Sequence, residues 1–170
     1  MIGFLPTDLA LLTKLMLVSL DNNSLQGTIP TQVGKLLNLS KLFLHANFFS
    51  GVLPSELGLL KELQTIDLRT NSLNGNIPEE FFSLEGVETV ALGSNFLTGT
   101  LSTSVGRLRG LKDLDLQIGQ LSGTIPTELG ELTLLTNLSL GYNRFTGQIP
   151  GELGFLQNLS LLDISKSTSK

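Results

Sequence analysis

The sequence predicts a solenoid of short repeats, each turn adding one strand to a common sheet, and three observations carry that expectation. Leucine supplies 40 of 170 residues beside 18 Gly and 6 Pro, a mixture that suits neither a smooth helix bundle nor a membrane span. One fixed period, the spacing from Asn23 to Asn47, accounts for nearly all of that leucine: the asparagine recurs at Asn71, Asn95 and Asn143, with Gly119 and Ser167 in the two remaining places. In every unit two apolar residues spaced by two precede that position, as in Leu42 and Leu44 or Ile66 and Leu68. Such spacing makes a short strand with one buried face.

The other positions of the unit follow from the same period. Eight and eleven residues before the asparagine come Leu39 and Leu36, Leu63 and Leu60, and their equivalents from Leu12 to Leu159, which feed the core from the turn before the strand. After it come an apolar residue, a glycine, an aliphatic residue and a proline, as in Leu25, Gly27, Ile29 and Pro30. Glycine allows a left-handed backbone and proline removes a donor, so this half of the unit is expected to turn back rather than extend as a second strand. Six full repeats are expected from Leu12 to Phe155, flanked by partial repeats over 1–11 and 156–170.

The string LTLLTNLSLGYNRFTGQIP from Leu132 to Pro150 resembles the plant-type leucine-rich repeat, marked by Gly-x-Ile-Pro after the asparagine and a period of about 24 residues, and the resemblance covers the whole chain. It implies an α/β-type repeat: a right-handed leucine-rich-repeat solenoid with a parallel concave β-sheet, an asparagine ladder between turns, and irregular or 3₁₀ structure on the convex side. Seven strands at ~4.8 Å would give a sheet roughly 30 Å long, the size of a peptide or small domain. The resemblance also implies a non-catalytic protein- or peptide-binding module, the ligand-sensing part of a receptor-like protein.

Composition removes most other functions. With 11 Lys+Arg against 15 Asp+Glu the formal charge is -4, which argues against a nucleic-acid partner. The chain has no Cys and a single His, so disulfides, thiolate metal sites and a cysteine nucleophile are excluded. No phosphate loop, Gly-x-Ser-x-Gly or His-Glu-x-x-His string occurs, and neither an enzyme nor a cofactor is expected. No window is apolar enough to enter a bilayer, and Pro6, Asp8 and Lys14 break the apolar start that a secretory leader would need. Secreted family members usually carry cysteine-paired caps, so the cytoplasm stands as the alternative to an extracellular or cell-surface location.

Function must sit where repeats differ and face solvent. On adjacent strands Asp21, Phe43, His45, Asp67 and Arg69 form one patch with Lys41 at its edge, an aromatic beside an arginine being the usual make-up of a binding hot spot. The competing reading is that Asp67 and Arg69 simply pair with each other. His45 between Asp21 and Asp67 has ligand types that suit zinc or iron, but cross-strand coincidence explains it better and no metal is expected. If His45 touches the ligand, affinity should change near ~6.5, where an unperturbed imidazole titrates. A second patch comprises Lys112, Asp113, Asp115 and Gln117, with Ile118 and Tyr142 at the strand ends.

Four Asn-x-Ser triplets, at Asn22, Asn38, Asn137 and Asn158, are glycosylation candidates and favour a secretory history. Asn38 and Asn158 share one repeat position, whereas Asn137 falls on the concave strand. Two rival functions also have sequence support. Thr28, Asn76, Thr100 and Thr124 with Ser50, Asn74, Thr98, Ser122 and Thr146 make an uncharged flank of ice-binding type, interrupted by Val52, Gln26 and Gln148. The two solenoid ends, lacking polar caps, offer end-to-end contact with another chain. Finally, Gly119 for asparagine and Ser102 for proline are expected to loosen the stretch between them, most of all at Ile118 to Gln120.

Overall fold

A computed structural model describes residues 1–167. Each turn of the chain runs through a short strand, a left-handed corner, a second extended segment and a five-residue 3₁₀ turn. The first strand of each turn is β2 (Leu17–Ser19), β4 (Lys41–Phe43), β6 (Thr65–Asp67), β8 (Thr89–Ala91), β10 (Asp113–Asp115), β12 (Asn137–Ser139) and β14 (Leu161–Asp163). These seven pair in sequence order as one parallel sheet, with partners one full period apart, such as Lys41 with Thr65. The 3₁₀ turns follow the prolines, as at Thr31–Lys35 after Pro30. No helix of the described residues is long and apolar enough to cross a membrane.

The leucine columns fill the space between these faces: Leu36, Leu39, Leu42 and Leu44 in one turn are all at most 1% exposed. The columns open at the first and last turns, where Leu12 is 55% and Leu162 46% exposed. An inner leucine is closed by a turn on each side, and these two have a neighbour on one side only.

The asparagines make the predicted ladder. Asn71 Oδ1 accepts from Phe49 N at 2.9 Å, while its Nδ2 donates to Leu44 O and Leu68 O at 3.0 Å. Asn47, Asn95 and Asn143 repeat the arrangement. The residue before each ladder position has a left-handed φ between 53° and 56° at Asn22, Ala46, Thr70, Ser94, Ile118 and Tyr142. The corner is costly for β-branched Thr70 and Ile118; each donates its backbone N–H to the next turn, to Gly93 O and Gly141 O, and at Thr70 the Asn71 amide adds its crosslink.

One expectation is corrected. The segment after the asparagine does form strands: β1 (Ile2–Phe4), β3 (Ser24–Thr28), β5 (Phe48–Val52), β7 (Ser72–Gly75) and β9 (Phe96–Leu97) make a second parallel sheet, and β11 (Ser122–Thr124) pairs with β13 (Arg144–Thr146). Proline ends this strand instead of preventing it, since it lies two to four residues beyond the last paired position and every residue before it keeps its N–H. Partners here stand two residues short of a full period apart, as in Gln26 with Phe48. The glycine of this segment has φ from +73° to +82° between Gly27 and Gly147. Val52 packs so closely on Gly75 that a Cβ there would meet its Cγ1 at 2.9 Å.

The Gly119 and Ser102 substitutions have different local consequences. Ser102 holds φ -64°, ψ 146°, and its Oγ accepts from Ser104 N at 3.1 Å. It therefore keeps the proline conformation and adds a cap. Gly119 costs a bond one turn earlier: Leu25, Phe49, Leu73 and Leu121 each donate their N–H to the next turn's asparagine, and for Leu97 that acceptor is missing. The second sheet breaks at this point. β9 has two residues, and the isolated Thr100–Ser122 bridge leads on, with Gln120 N donating to Leu97 O at 2.9 Å and Ser122 N to Gly99 O at 2.8 Å. Gly119→Asn should restore the acceptor, but its Cβ would meet Asn143 Oδ1 at 2.8 Å, so that ladder amide must shift and the gain stays below about 1 kcal/mol, read as a slightly higher urea midpoint with slower amide exchange at Leu97. An unchanged midpoint would show that water serves Leu97 equally well.

Candidate functional site

Phe43, Asp67, Ala91, Asp115 and Ser139 stand in one row across five strands of the seven-stranded sheet, with His45, Arg69, Gly93, Gln117 and Gly141 beyond the strand ends. At the centre the columns shrink to Ala91 and Gly93, and the Asp115 carboxylate leans over Gly93, where a Cβ would meet its Oδ1 at 2.6 Å. A hollow of about 260 Å³ lies over Ala91, lined by Phe43, Arg69, Asp113, Asp115 and Asn137 together with Val90 and Leu114. This is the concave face.

Strand alternation predicts that Asp67 faces solvent, yet its side chain is only 8% exposed. Arg69 covers it, with Nε 3.0 Å from Oδ1 and Nη2 2.7 Å from Oδ2. The pairing that competed with the binding reading therefore exists, and it leaves Nη1 without a hydrogen bond among the described residues. Nη1 lies within 3.7 Å of Asp115 Oδ2, too far for a hydrogen bond. Two patches that the sequence separates thus become one ion-paired surface.

At the other end of the row Asn22 Nδ2 donates to Asp21 Oδ2 at 2.8 Å, which fixes the amide orientation, and lies 3.3 Å from His45 Nε2. Nε2 must then accept, so the neutral ring carries its proton on Nδ1. Nδ1 sits 3.3 Å from Asp67 Oδ2 without hydrogen-bond alignment and has no other partner among the described residues. Asp21 is held below the usual carboxylate range by hydrogen bonds from Ser19 and Asn22.

The remaining candidates divide. Phe43 is half-buried at the rim of the hollow and Lys41 is exposed outside it. Asp113 accepts from Asn137 Nδ2 across the strand pair. Gln117 donates its backbone N–H to Asp115 Oδ1 at 3.1 Å. Lys112 pairs with Glu88 at 2.8 Å, away from the hollow. Tyr142 lies on a left-handed corner with Lys166 Nζ 4.9 Å from its ring centroid, and Ile118 is exposed on the corner one turn earlier. Sequence reasoning missed Thr65, Thr89 and Ser139 as lining residues. The coincidence of Ala91 with Gly93 in adjacent columns was the available signal.

Burial pushes the Asp115 carboxyl up, against the lowering effects of Gln117 and Arg69. A raised folded-state pKa means that the protonated form is favoured by folding, so this contribution is complete at low pH and is lost as pH rises through the folded value. Asp115→Asn should therefore gain stability relative to the wild type as pH rises above the ordinary aspartate range near ~3.9, in urea titrations from pH 3 to 7. A constant difference would place the shift in the unfolded state as well.

The flank considered for ice binding is the outer face of the second sheet. Its polar rows are broken by exposed Phe48, Val52 and Phe96, 62%, 60% and 53% accessible, and Arg144 stands on β13.

Comparison with known proteins places this architecture. Residues 62–84 and 134–156 match the Leucine Rich Repeat family model. The BIR3–SERK2 complex from Arabidopsis thaliana contains a chain 30% identical, covering 78% of this chain and 70% of its own, with a TM-score of 0.69. The chain belongs to the leucine-rich repeat proteins, of the plant type. Among solved structures it is similar to the plant peptide hormone receptor RGFR1 in complex with RGF2, at 34% identity over 99% of this chain and a TM-score of 0.97. It is also similar to the Arabidopsis receptor kinase HAESA in complex with the peptide hormone IDA and the co-receptor SERK1, at 34% identity over 99% of this chain and a TM-score of 0.95. It spans 27% and 28% of the length of those two chains. No curated protein sequence matches it.

Proposed function

We propose that this chain is a non-catalytic, ligand-binding segment of an extracellular or cell-surface receptor-like protein, and that it holds a peptide on its concave face. The hollow over Ala91 carries the reading, because it brings an aromatic wall, a guanidinium with one nitrogen outside its hydrogen bonds and a half-buried carboxylate within one side chain's reach. Apolar contact with Phe43 supplies desolvation, while Arg69 Nη1 and Asp115 fix orientation by donating and accepting. Asp67 acts indirectly by fixing the Arg69 side chain. The similarity to receptors solved with peptide hormones supports the same reading.

The test is capture of peptides from plant extracellular fluid by the immobilised chain, with mass spectrometry of what is retained. Phe43→Ala removes the wall and Ala91→Trp fills the hollow, and circular dichroism shows that each variant is folded. Peptides held by the native chain and lost at least 10-fold by both variants are expected. Equal retention by all three proteins would move recognition away from this face.

A further inference from the structure

We propose that Asn38 and Asn158 are the N-glycan acceptors of this protein, and that Asn22 and Asn137, although also in Asn-x-Ser triplets, stay bare in the exported molecule. The proposal rests on the extracellular reading above and assigns the modification to one edge of the solenoid. Asn38 and Asn158 stand five whole periods apart, each three residues before a strand of the concave sheet, and both are exposed. Each is tied to the preceding turn by the same bond: Asn38 Nδ2 donates to Thr13 O and Asn158 Nδ2 to Thr133 O, both at 2.8 Å.

That bond survives modification. Transfer from a lipid-linked oligosaccharyl diphosphate forms a bond between Nδ2 and the sugar's anomeric carbon as the carbon–oxygen bond to the diphosphate breaks and one amide proton leaves. A primary amide has two N–H donors, and the product keeps one. Asn38 and Asn158 each donate to a single carbonyl, so one remaining hydrogen is enough to serve it while the sugar takes the other N–H position on an exposed residue.

The other two triplets fail this test. Asn22 uses its amide nitrogen toward both the Asp21 carboxylate and His45 Nε2, so a sugar there breaks one contact and stands over His45. Asn137 is half-buried in β12, donates to Asp113, accepts from Ser160 Oγ at 3.3 Å and lines the hollow. The transferase acts on extended chain, so folding selects afterwards. A chain with a glycan on Asn137 would have to seat the sugar core in the hollow or leave the strand unpaired, and such chains are not expected to be exported.

The experiment is secretion of the full chain from plant cells behind a heterologous leader, followed by glycopeptide mapping and intact mass before and after enzymatic deglycosylation. Two glycans per chain are expected, one lost in Asn38→Gln, one in Asn158→Gln and none in Asn137→Gln or Asn22→Gln. Occupancy of Asn137 or Asn22 in the secreted protein, or bare Asn38 and Asn158, overturns the proposal. Because the leader imposes the route, these outcomes are independent of where the native protein resides. That is read separately by fractionating source tissue, where recovery only from cytosol overturns the location and not the choice of acceptors.

Discussion

Asn71→Ala is expected to lower the stability of the solenoid by about 3 kcal/mol, the sum of one orphaned buried donor and three weakened bonds. The orphan is Phe49 N–H, which has Asn71 Oδ1 as its recorded side-chain acceptor. Leu44 O and Leu68 O fare better, since Asn47 and Asn95 also donate to them, at 3.1 and 3.0 Å. Each ladder amide therefore backs up its neighbour, so the loss falls short of that for four independent bonds. For a chain of this size the melting temperature should drop by roughly 6–12 °C. Amide exchange at Phe49 should accelerate more than at Leu25 or Leu121, which keep their own ladder acceptors. Loss spread evenly over the array would mean that the turns unfold only as one unit, against the nearest-neighbour behaviour of solenoids. Gly119 is the natural form of the same deletion, and the break in the second sheet shows its local consequence.

Arg69→Ala is expected to cost about 2–3 kcal/mol, at the lower end for a broken buried pair because the guanidinium is partly exposed. Asp67, 8% exposed, would keep only the misaligned His45 Nδ1 and the Arg69 position's backbone N–H as neighbours. Removing the buried charge as well should recover at least half of the loss, so Asp67→Asn in the Arg69→Ala background is the decisive comparison by urea denaturation. A loss below ~1 kcal/mol without rescue would mean that Asp67 is solvated in solution. The same variant should weaken peptide retention, and the rescued double variant should not regain it, since Nη1 is absent from both. For this reason charge reversal at Arg69 is a poor probe of binding: it places a carboxylate against buried Asp67 and confounds folding with recognition.

How much was legible in advance follows from the range of each interaction. The period, the seven strands and the asparagine ladder could be read directly, because a repeat copies the same local sequence into the same local environment. The binding surface was half legible. The columns that hold Phe43, Asp67, Arg69 and Asp115 follow from strand alternation, but separating them into two patches treats neighbouring strands as the limit of contact. Arg69 and Asp115 meet across the strand between them because Ala91 is small and the Asp115 carboxylate leans over Gly93, where a Cβ would meet its Oδ1 at 2.6 Å, and that approach is a three-dimensional property. The burial of Asp67 escapes the sequence for the same reason, since it comes from the Arg69 side chain folding back over it.

Sequence alone determined the leucine-rich class, the lack of cysteine chemistry and the uncharged make-up of the flank, all of which depend on residue identity and period. Tertiary structure decided that the segment before each proline pairs into a second sheet, that the missing amide at Gly119 is felt at Leu97, and that one hollow joins the two charged patches. The physical reason is common to these three: each depends on the offset between successive turns, a full period in one sheet, as from Lys41 to Thr65, and two residues less in the other, as from Gln26 to Phe48. That offset is set by how the turns pack on one another, and a single repeat does not contain it.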